Sequence, residues 1–249
     1  VYGEMDHIYT KEFMAAVVKE LEDVVDIVSI KEKDAAANHP TGFQFTKGQH
    51  PCFAYAKAIR DTGARVLVGV NGGFQDPQEL DKYIAAGDCD LIAMARGLFA
   101  DEDYMEKCLT GRGDDIVPCI WCNKCHGTMT PPWISFCSVN PRLGIDPMLL
   151  KTLPAGGTKK KVAIVGGGPI GMRAAIMAAE QGHQVTLFEQ SDTLGGQLKH
   201  ADYLPCKWSL HDFKEYLIRQ LDKSTVEVRL GTHATPEMME GFDAVIAAC

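Results

Sequence analysis

A glycine-rich turn between an apolar strand and a helix constrains the fold of this chain more than any other feature. Residues 162–165 form a wholly apolar strand, and Gly166, Gly168 and Gly171 follow it in G-x-G-x-x-G spacing. The first glycine makes a tight turn, the second lets a pyrophosphate approach the backbone, and the third allows close helix–strand packing. The helix N-terminus offers N–H groups to phosphates, and Glu189, which ends the next strand, can accept hydrogen bonds from a ribose diol. The segment predicts a Rossmann-like dinucleotide-binding unit, and these residues leave FAD and NAD open.

Three helix–strand pairs occupy the first part of the chain. The helix KEFMAAVVKELED follows Thr10 as its N-cap and leads into the strand VDIVSI. The helix PCFAYAKAIRDTG ends at Gly63 before the strand RVLVGV, and DPQELDKYIAAG, before DLIAMA, has Asp76 at its N-cap, Pro77 at its first position and Gly87 at its end. Strands that are apolar on both faces and alternate with helices predict an α/β fold with a parallel sheet covered on both sides.

Four of the nine cysteines are clustered in the spacing C-x2-C-x2-C-x11-C, at Cys119, Cys122, Cys125 and Cys137. Structural zinc sites usually pair two separated C-x-x-C knuckles, whereas three thiolates in one turn and a distant fourth suit the corners of a [4Fe-4S] cubane. We expect an iron–sulfur cluster, with zinc or thiols that bind no metal as the alternatives. His126 is either a further ligand or only lines the site. The other cysteines are scattered through unrelated segments, as is typical of buried thiols in a reducing compartment.

The charge and hydropathy of the chain argue against two classes of partner. Its net charge is −8 and its pI is about 5.5, whereas nucleic-acid-binding proteins usually carry clustered Lys and Arg. No apolar run approaches the roughly 20 residues that cross a bilayer, and VYGEMDHIYT lacks the pattern of a signal sequence. We expect a cytoplasmic protein that binds neither nucleic acid nor membrane.

A cluster beside a dinucleotide fold also predicts a flavin, since a hydride delivers two electrons and a cluster carries one.

Several segments together resemble one enzyme family: DPQELDKYIAAGDCDLIAMARGLFADEDY, CIWCNKC, CSVNPR, KVAIVGGGPIGMRAAIMAAEQGHQVTLFEQSDTLGGQL and GFDAVIAA. They are similar to the 2,4-dienoyl-CoA reductase and enoate reductase branch of the old yellow enzyme (NADH:flavin oxidoreductase) family, from about Asp26 onward. The resemblance implies an FMN-bearing TIM barrel, a [4Fe-4S] segment and an FAD and NAD(P)H module. It implies electron flow from NAD(P)H through FAD and the cluster to FMN, which reduces an activated C=C bond of an enone or enoyl-CoA. Two alternatives stay open, which are amine oxidation as in trimethylamine dehydrogenase and a zinc-stabilised dinucleotide-binding module without redox turnover.

The resemblance also implies positions for the cofactors. The three strands look like the sixth, seventh and eighth of the barrel, so that Gly72, Gly73, Ala95 and Arg96 would surround the FMN phosphate. TIM barrels often build a phosphate site from the loops after strands seven and eight. In the FAD module, the further positions near the cofactor would be Ile170, Gly195, Gly196, Gln197, Lys207 and Ala234.

The chain departs from the family pattern at two points. The family more often has three residues between its second and third cysteines, and the shorter spacing here favours the enoate reductase side. The histidine that donates a proton near the end of the sixth strand has no match. His39, with Asp34 behind it, is the nearest substitute and our candidate catalytic acid, and a structural loop histidine before proline is the alternative.

Domain boundaries follow from these assignments. We expect the C-terminal part of the FMN barrel in residues 1–112, the [4Fe-4S] segment and linker in 113–158, and the N-terminal part of the FAD-binding domain in 159–249. A TIM barrel takes around 250 residues, so we expect the chain to be an internal part of a longer protein and to be inactive as an enzyme by itself. The sequence leaves a homo-oligomer open.

Overall fold

The computed structural model describes residues 10–31, 50, 52–126, 136–145 and 157–249. The chain divides into two compact units, the first ending at Pro141 and the second beginning at Arg142. Each unit contains one sheet, and all strand pairs in both sheets are parallel. The predicted α/β class with parallel sheets is therefore confirmed.

The first unit alternates helices with strands. Its strands are β1 (Ile27–Lys31), β2 (Leu67–Asn71) and β3 (Leu91–Ala93), paired in the order β1-β2-β3. Its helices are α1 (Lys11–Leu21), α2 (Cys52–Asp61), α3 (Pro77–Ala85), α4 (Arg96–Ala100) and α5 (Tyr104–Leu109). The last two helices were not predicted, because five or six residues are too few to produce a helical period.

Local capping signals define the helix boundaries of this unit as predicted. The hydroxyl of Thr10 accepts a hydrogen bond from the backbone N–H of Phe13 at 3.1 Å, and the carboxylate of Asp76 accepts one from the N–H of Gln78 at 2.9 Å. Gly63 follows α2 with a left-handed φ of 68°. These signals act within one turn of the chain, so the sequence alone is sufficient to locate them.

The two faces of the first sheet differ in burial. On the helix-facing side, Val68 and Val70 are fully buried in a core with residues of α1 and α2. On the opposite face, Ile27, Leu67 and Leu91 keep 53%, 46% and 44% of their surface exposed. The prediction that this sheet is covered on both sides is thus wrong for the part of the chain that the structure describes, where helices pack against one face.

The second unit has the topology of a dinucleotide-binding half-fold. Its strands are β4 (Lys161–Val165), β5 (Gln184–Phe188), β6 (Glu227–Arg229) and β7 (Ala244–Ala247), and its helices are α6 (Pro169–Glu180) and α7 (Trp208–Lys223). The sheet order is β6-β5-β4-β7. Counted within the unit this is 3-2-1-4, the order with which the Rossmann sheet begins, and its crevice opens where the order reverses, between β4 and β7.

The described part of the cysteine-rich segment is irregular. In residues 113–126 and 136–145 the only helical turns are two short 3-10 turns, at Gly113–Asp115 and Lys124–His126. In the described ranges, no helix has the length and apolar character needed to cross a membrane.

Candidate cofactor sites

The glycine turn lies at the switch point of the second sheet. Gly166 follows β4 with φ 110°, and a Cβ built on it would lie 2.6 Å from the carbonyl oxygen of Ala248, directly after β7. A Cβ on Gly171 would lie only 1.8 Å from the carbonyl oxygen of Gly166. Close packing of backbone on backbone therefore requires glycine at both positions. This is the role predicted for Gly171, and the positive φ of Gly166 agrees with the tight turn predicted there.

Gly168 is different from its two neighbours in the motif. It caps α6 with φ −74°, a conformation open to any residue. A Cβ there would meet only the Cα of Gly196, at an ordinary contact distance of 3.9 Å. The fold itself does not require a glycine at this position.

Glu189 is held against the turn by backbone hydrogen bonds. Its two carboxylate oxygens accept the N–H of Gly167 at 2.6 Å and the N–H of Ser191 at 2.8 Å. Burial raises the pKa of the Glu189 carboxyl, but these hydrogen bonds more than offset it and hold the pKa below its ordinary value. The side chain is therefore a fixed carboxylate beside the glycine turn, with further lone pairs that can accept hydrogen bonds.

A second glycine pair packs on the first. The N–H of Gly195 donates to the carbonyl of Gly167 at 2.9 Å, and a Cβ on Gly196 would lie 2.8 Å from the Cα of Gly168. Both residues have left-handed φ values, 114° and 51°. The structure thus brings the predicted Gly195 and Gly196 directly to the glycine turn.

The other predicted residues of this unit lie around these loops. Ile170, in the first turn of α6, is 72% exposed, and Gln197 is exposed just after the second glycine pair. Lys207 is half-buried immediately before α7, and Ala234 is half-buried in the irregular segment after β6. Neither Lys207 nor Ala234 belongs to the packed group of glycines.

Sequence reasoning missed a buried lysine under the second glycine pair. Lys214 of α7 is 6% exposed and forms ion pairs with Asp202 and Glu215. Burial lowers the pKa of Lys214, but the two carboxylates outweigh it and raise the pKa above its ordinary value. Its Cδ lies 2.9 Å from where a Cβ of Gly195 would be. No sequence signal marks this lysine, because it occupies an ordinary position in an amphipathic helix.

The cysteine loop of the first unit, residues 119–125, contains two unusual backbone conformations. Trp121 and Asn123 have left-handed φ values of 56° and 55°, which for a bulky residue such as tryptophan is uncommon. The N–H of Trp121 points to the Sγ of Cys119 at 3.4 Å. The Sγ of Cys122 lies 3.2 Å from the hydroxyl of Ser138, next to Cys137, so the loop and the distant cysteine are neighbours.

The four thiols influence one another electrostatically. Burial raises the pKa of Cys119 to about 12, and repulsion from Cys137 and Cys125 adds to the rise. Burial likewise raises the pKa of Cys125, with contributions from Cys137 and Cys122. Within the described ranges, no three His, Cys, Asp or Glu side chains are arranged to hold a single metal ion.

The predicted phosphate residues of the first unit lie against this loop. Gly72 and Gly73 follow β2, and a Cβ on Gly73 would lie 3.5 Å from the indole ring of Trp121. Ala95 precedes α4, and Arg96 begins it. The guanidinium carbon of Arg96 lies 4.3 Å from the centroid of the Trp121 ring. The segments that follow β2 and β3 are therefore in contact with the cysteine loop.

Two predicted residues cannot be placed. His39 and the side chain of His126 lie outside the residues that the structure describes.

The chain is similar to several known proteins. Residues 161–223 match the family described as FAD dependent oxidoreductase. The chain is 40% identical over 189 residues to an NADH oxidase from Thermoanaerobacter brockii, covering 74% of this chain and 28% of that protein. It is 33% identical over 229 residues to a bilirubin reductase from Mediterraneibacter gnavus, covering 90% of this chain and 35% of that protein.

A solved structure of similar fold is that of a 2-naphthoyl-CoA reductase. It superposes with a TM-score of 0.85 at 29% identity over 96% of this chain and 37% of that one. Amine and N,N-dimethylglycine/sarcosine dehydrogenases are also similar. The family match identifies the glycine turn as part of an FAD-type domain. The chain spans about a third of the length of the relatives that it matches. It belongs to the old yellow enzyme-like enoate reductase family.

Proposed function

We propose that this chain is part of a flavin and iron–sulfur oxidoreductase that reduces an activated C=C bond with NAD(P)H, using FAD, a [4Fe-4S] cluster and FMN. The observation that carries the proposal is the contact between the cysteine loop and the strand ends, through Trp121, Gly73 and Arg96. A relay requires cluster and flavin to lie close together, and this contact would put them side by side. When bound, these groups would split the two electrons of a hydride into single-electron steps and recombine them at the substrate.

The second unit would hold FAD at its glycine turn. Gly168 supports this. Its surroundings have room for a side chain, so the fold does not explain why glycine stands there, whereas a pyrophosphate close to the backbone would require a glycine. The N-terminus of α6 would face the phosphates, and the fixed carboxylate of Glu189 would accept hydrogen bonds from the ribose. Gly195 and Gly196 would close over the cofactor, with Ile170, Gln197, Lys207 and Ala234 as flanking contacts.

The first unit would hold the cluster with Cys119, Cys122, Cys125 and Cys137. The spacing C-x2-C-x2-C-x11-C favours the cluster over zinc, because structural zinc sites usually pair two separated C-x-x-C knuckles. Each cysteine of a [4Fe-4S] cluster binds a different iron. The contact between Cys122 and Ser138, which is next to Cys137, brings the distant fourth cysteine to the other three, as a shared cluster would require.

The strand ends of the first unit would hold the FMN phosphate. In a TIM barrel, the loops after strands seven and eight often form a phosphate site, and Gly72, Gly73, Ala95 and Arg96 follow β2 and β3. The backbone of the glycines could approach the phosphate closely, and the guanidinium of Arg96 could bind its oxygens with a fork of N–H donors. His39 is the proposed proton donor to the substrate.

The substrate is proposed to be a small molecule with a conjugated double bond. Two relatives are named as reductases of bilirubin and of 2-naphthoyl-CoA, and a cinnamate reductase is also similar to this chain. The amine dehydrogenases define the alternative, in which the same cofactors would be reduced by an amine.

Metal, sulfide and flavin analysis tests the proposal on the anaerobically purified longer protein that contains this chain. We expect about four iron and four acid-labile sulfide per chain, together with FAD, and NADH oxidation that depends on added cinnamate. One zinc per chain without sulfide would overturn the redox proposal in favour of a zinc-stabilised module. Cofactor reduction by dimethylamine, without response to NADH and cinnamate, would favour amine oxidation.

A further inference from the structure

Two residues of the cysteine loop have strained backbone conformations. Trp121 and Asn123, both left-handed, alternate with the cysteines of the loop. Asparagine accepts this conformation readily, but a tryptophan rarely adopts it. Such residues persist only where their surroundings over-determine them, and they are concentrated at functional sites.

One side chain from outside the loop contacts both strained residues. The guanidinium of Arg96 stacks over the Trp121 ring at 4.3 Å, and its Nη1 donates a hydrogen bond to the Oδ1 of Asn123 at 2.8 Å. A planar guanidinium can stack through its face and donate through its edge at the same time, which an ammonium cannot do. Trp121 is 2% exposed, so the stacking is sheltered from water.

Arg96 also brings a positive charge to the cysteine loop. Its guanidinium contacts Trp121 and Asn123, which lie between the cysteines in the sequence. A positive charge at this place would compensate the negative charge that four thiolates bring to a cluster, and the net charge and hydrogen bonding around a cluster set its reduction potential.

We propose that Arg96 is a positioning residue for the cysteine loop, which clamps Trp121 and Asn123 in their left-handed conformations and places a positive charge beside the cluster. The inference rests on the proposed function and deepens it, since the same guanidinium is the proposed ligand of the FMN phosphate. One side chain would then join the flavin phosphate to the cluster loop. The cluster would respond to Arg96 although Arg96 is not one of its ligands.

The test compares Arg96→Lys and Arg96→Gln with a matched control, Arg112→Gln. Arg112 belongs to the same unit and pairs with Glu106 at the surface. We expect iron and sulfide per chain to fall at least twofold in Arg96→Lys and further in Arg96→Gln, and to stay unchanged in Arg112→Gln. The cluster that Arg96→Gln retains should have a lower midpoint potential in an EPR-monitored redox titration, because the compensating charge is gone. Equal cluster content and potential in all four proteins would refute the inference.

A second measurement separates this inference from the proposed function. Hydrogen exchange of residues 119–125, followed by mass spectrometry on protein stripped of metal, reports the clamp without any cluster or activity. We expect exchange about tenfold faster in Arg96→Gln, and a smaller increase in the double variant with Trp121→Gly, because glycine adopts a left-handed φ without strain. Unchanged exchange in Arg96→Gln would overturn the clamp even if the cluster is present. Wild-type protein lacking iron and sulfide would overturn the proposed function while leaving this result decisive for the clamp.

Discussion

Replacing Gly171 by alanine will destabilise the second unit severely, whether or not a cofactor is bound. The new Cβ would lie 1.8 Å from the carbonyl oxygen of Gly166, although real Cβ atoms essentially never approach other atoms within 3.0 Å. Both partners are fixed to the backbone, so β4 and α6 must separate by more than 1 Å. Overpacking usually lowers the free energy of unfolding by about 1–3 kcal/mol, and we expect a clash between two backbone segments to lower it by about 3 kcal/mol or more. For a domain of about 100 residues this corresponds to a fall in Tm of about 12 °C or more.

Two other glycines of the same unit provide matched controls for thermal denaturation followed by circular dichroism. Gly168→Ala should melt within about 4 °C of wild type, because its Cβ meets only Gly196 at 3.9 Å. It should nevertheless lose at least about tenfold in FAD affinity, which is about 1.4 kcal/mol, because the methyl group blocks the pyrophosphate. Gly157→Ala, which has nothing within 4 Å, should change neither Tm nor FAD affinity.

The refuting outcomes differ for the two glycines. A Gly171→Ala protein that melts within a few degrees of wild type would show that β4 and α6 are not packed as the structure has them. Wild-type FAD affinity in Gly168→Ala would instead leave the fold intact and contradict the proposed pyrophosphate position.

Three further predictions concern single contacts. The pKa of Glu189 is lowered in the folded state, so its stabilising contribution is present above the ordinary glutamate range and is lost as pH falls through the folded pKa. The Tm difference between wild type and Glu189→Gln should therefore shrink from about pH 4 downward. A Tm difference independent of pH would contradict this. Asp101→Ala leaves the ammonium of Lys107 and the N–H of Val117 without their buried carboxylate, so urea unfolding should show a loss of about 3–5 kcal/mol, and an unchanged midpoint would count against this anchor. Thr10→Ala removes the N-cap of α1 and should lower the free energy of unfolding by about 1 kcal/mol in the same assay, with no change if the cap is formed by another group.

The features that could be predicted from the sequence are those decided within a few residues of the chain. The strand, glycine turn and helix around Gly166 were predicted because a tight turn and a close helix–strand contact tolerate no side chain. The caps at Thr10 and Asp76 were predicted because a side-chain oxygen reaches the next turn only from that position. The parallel sheets followed from apolar strands alternating with amphipathic helices.

Features that depend on contacts between distant residues became visible only in the tertiary structure. The open face at Ile27, Leu67 and Leu91 has the same apolar sequence as a covered one, so composition could not distinguish the two. Lys214 is buried under Gly195 because α7 packs there, not because its own segment is unusual.

The same division applies to the candidate cofactor sites. The spacing of Cys119, Cys122 and Cys125 determined that a tight turn presents three thiols, because loop geometry is a local property. The stacking of Arg96 on Trp121 joins residues of two separate segments, and no local rule relates their positions. Turn and capping preferences are local energies that a sequence states directly, whereas burial and side-chain pairing arise only when the folded backbone brings distant segments together.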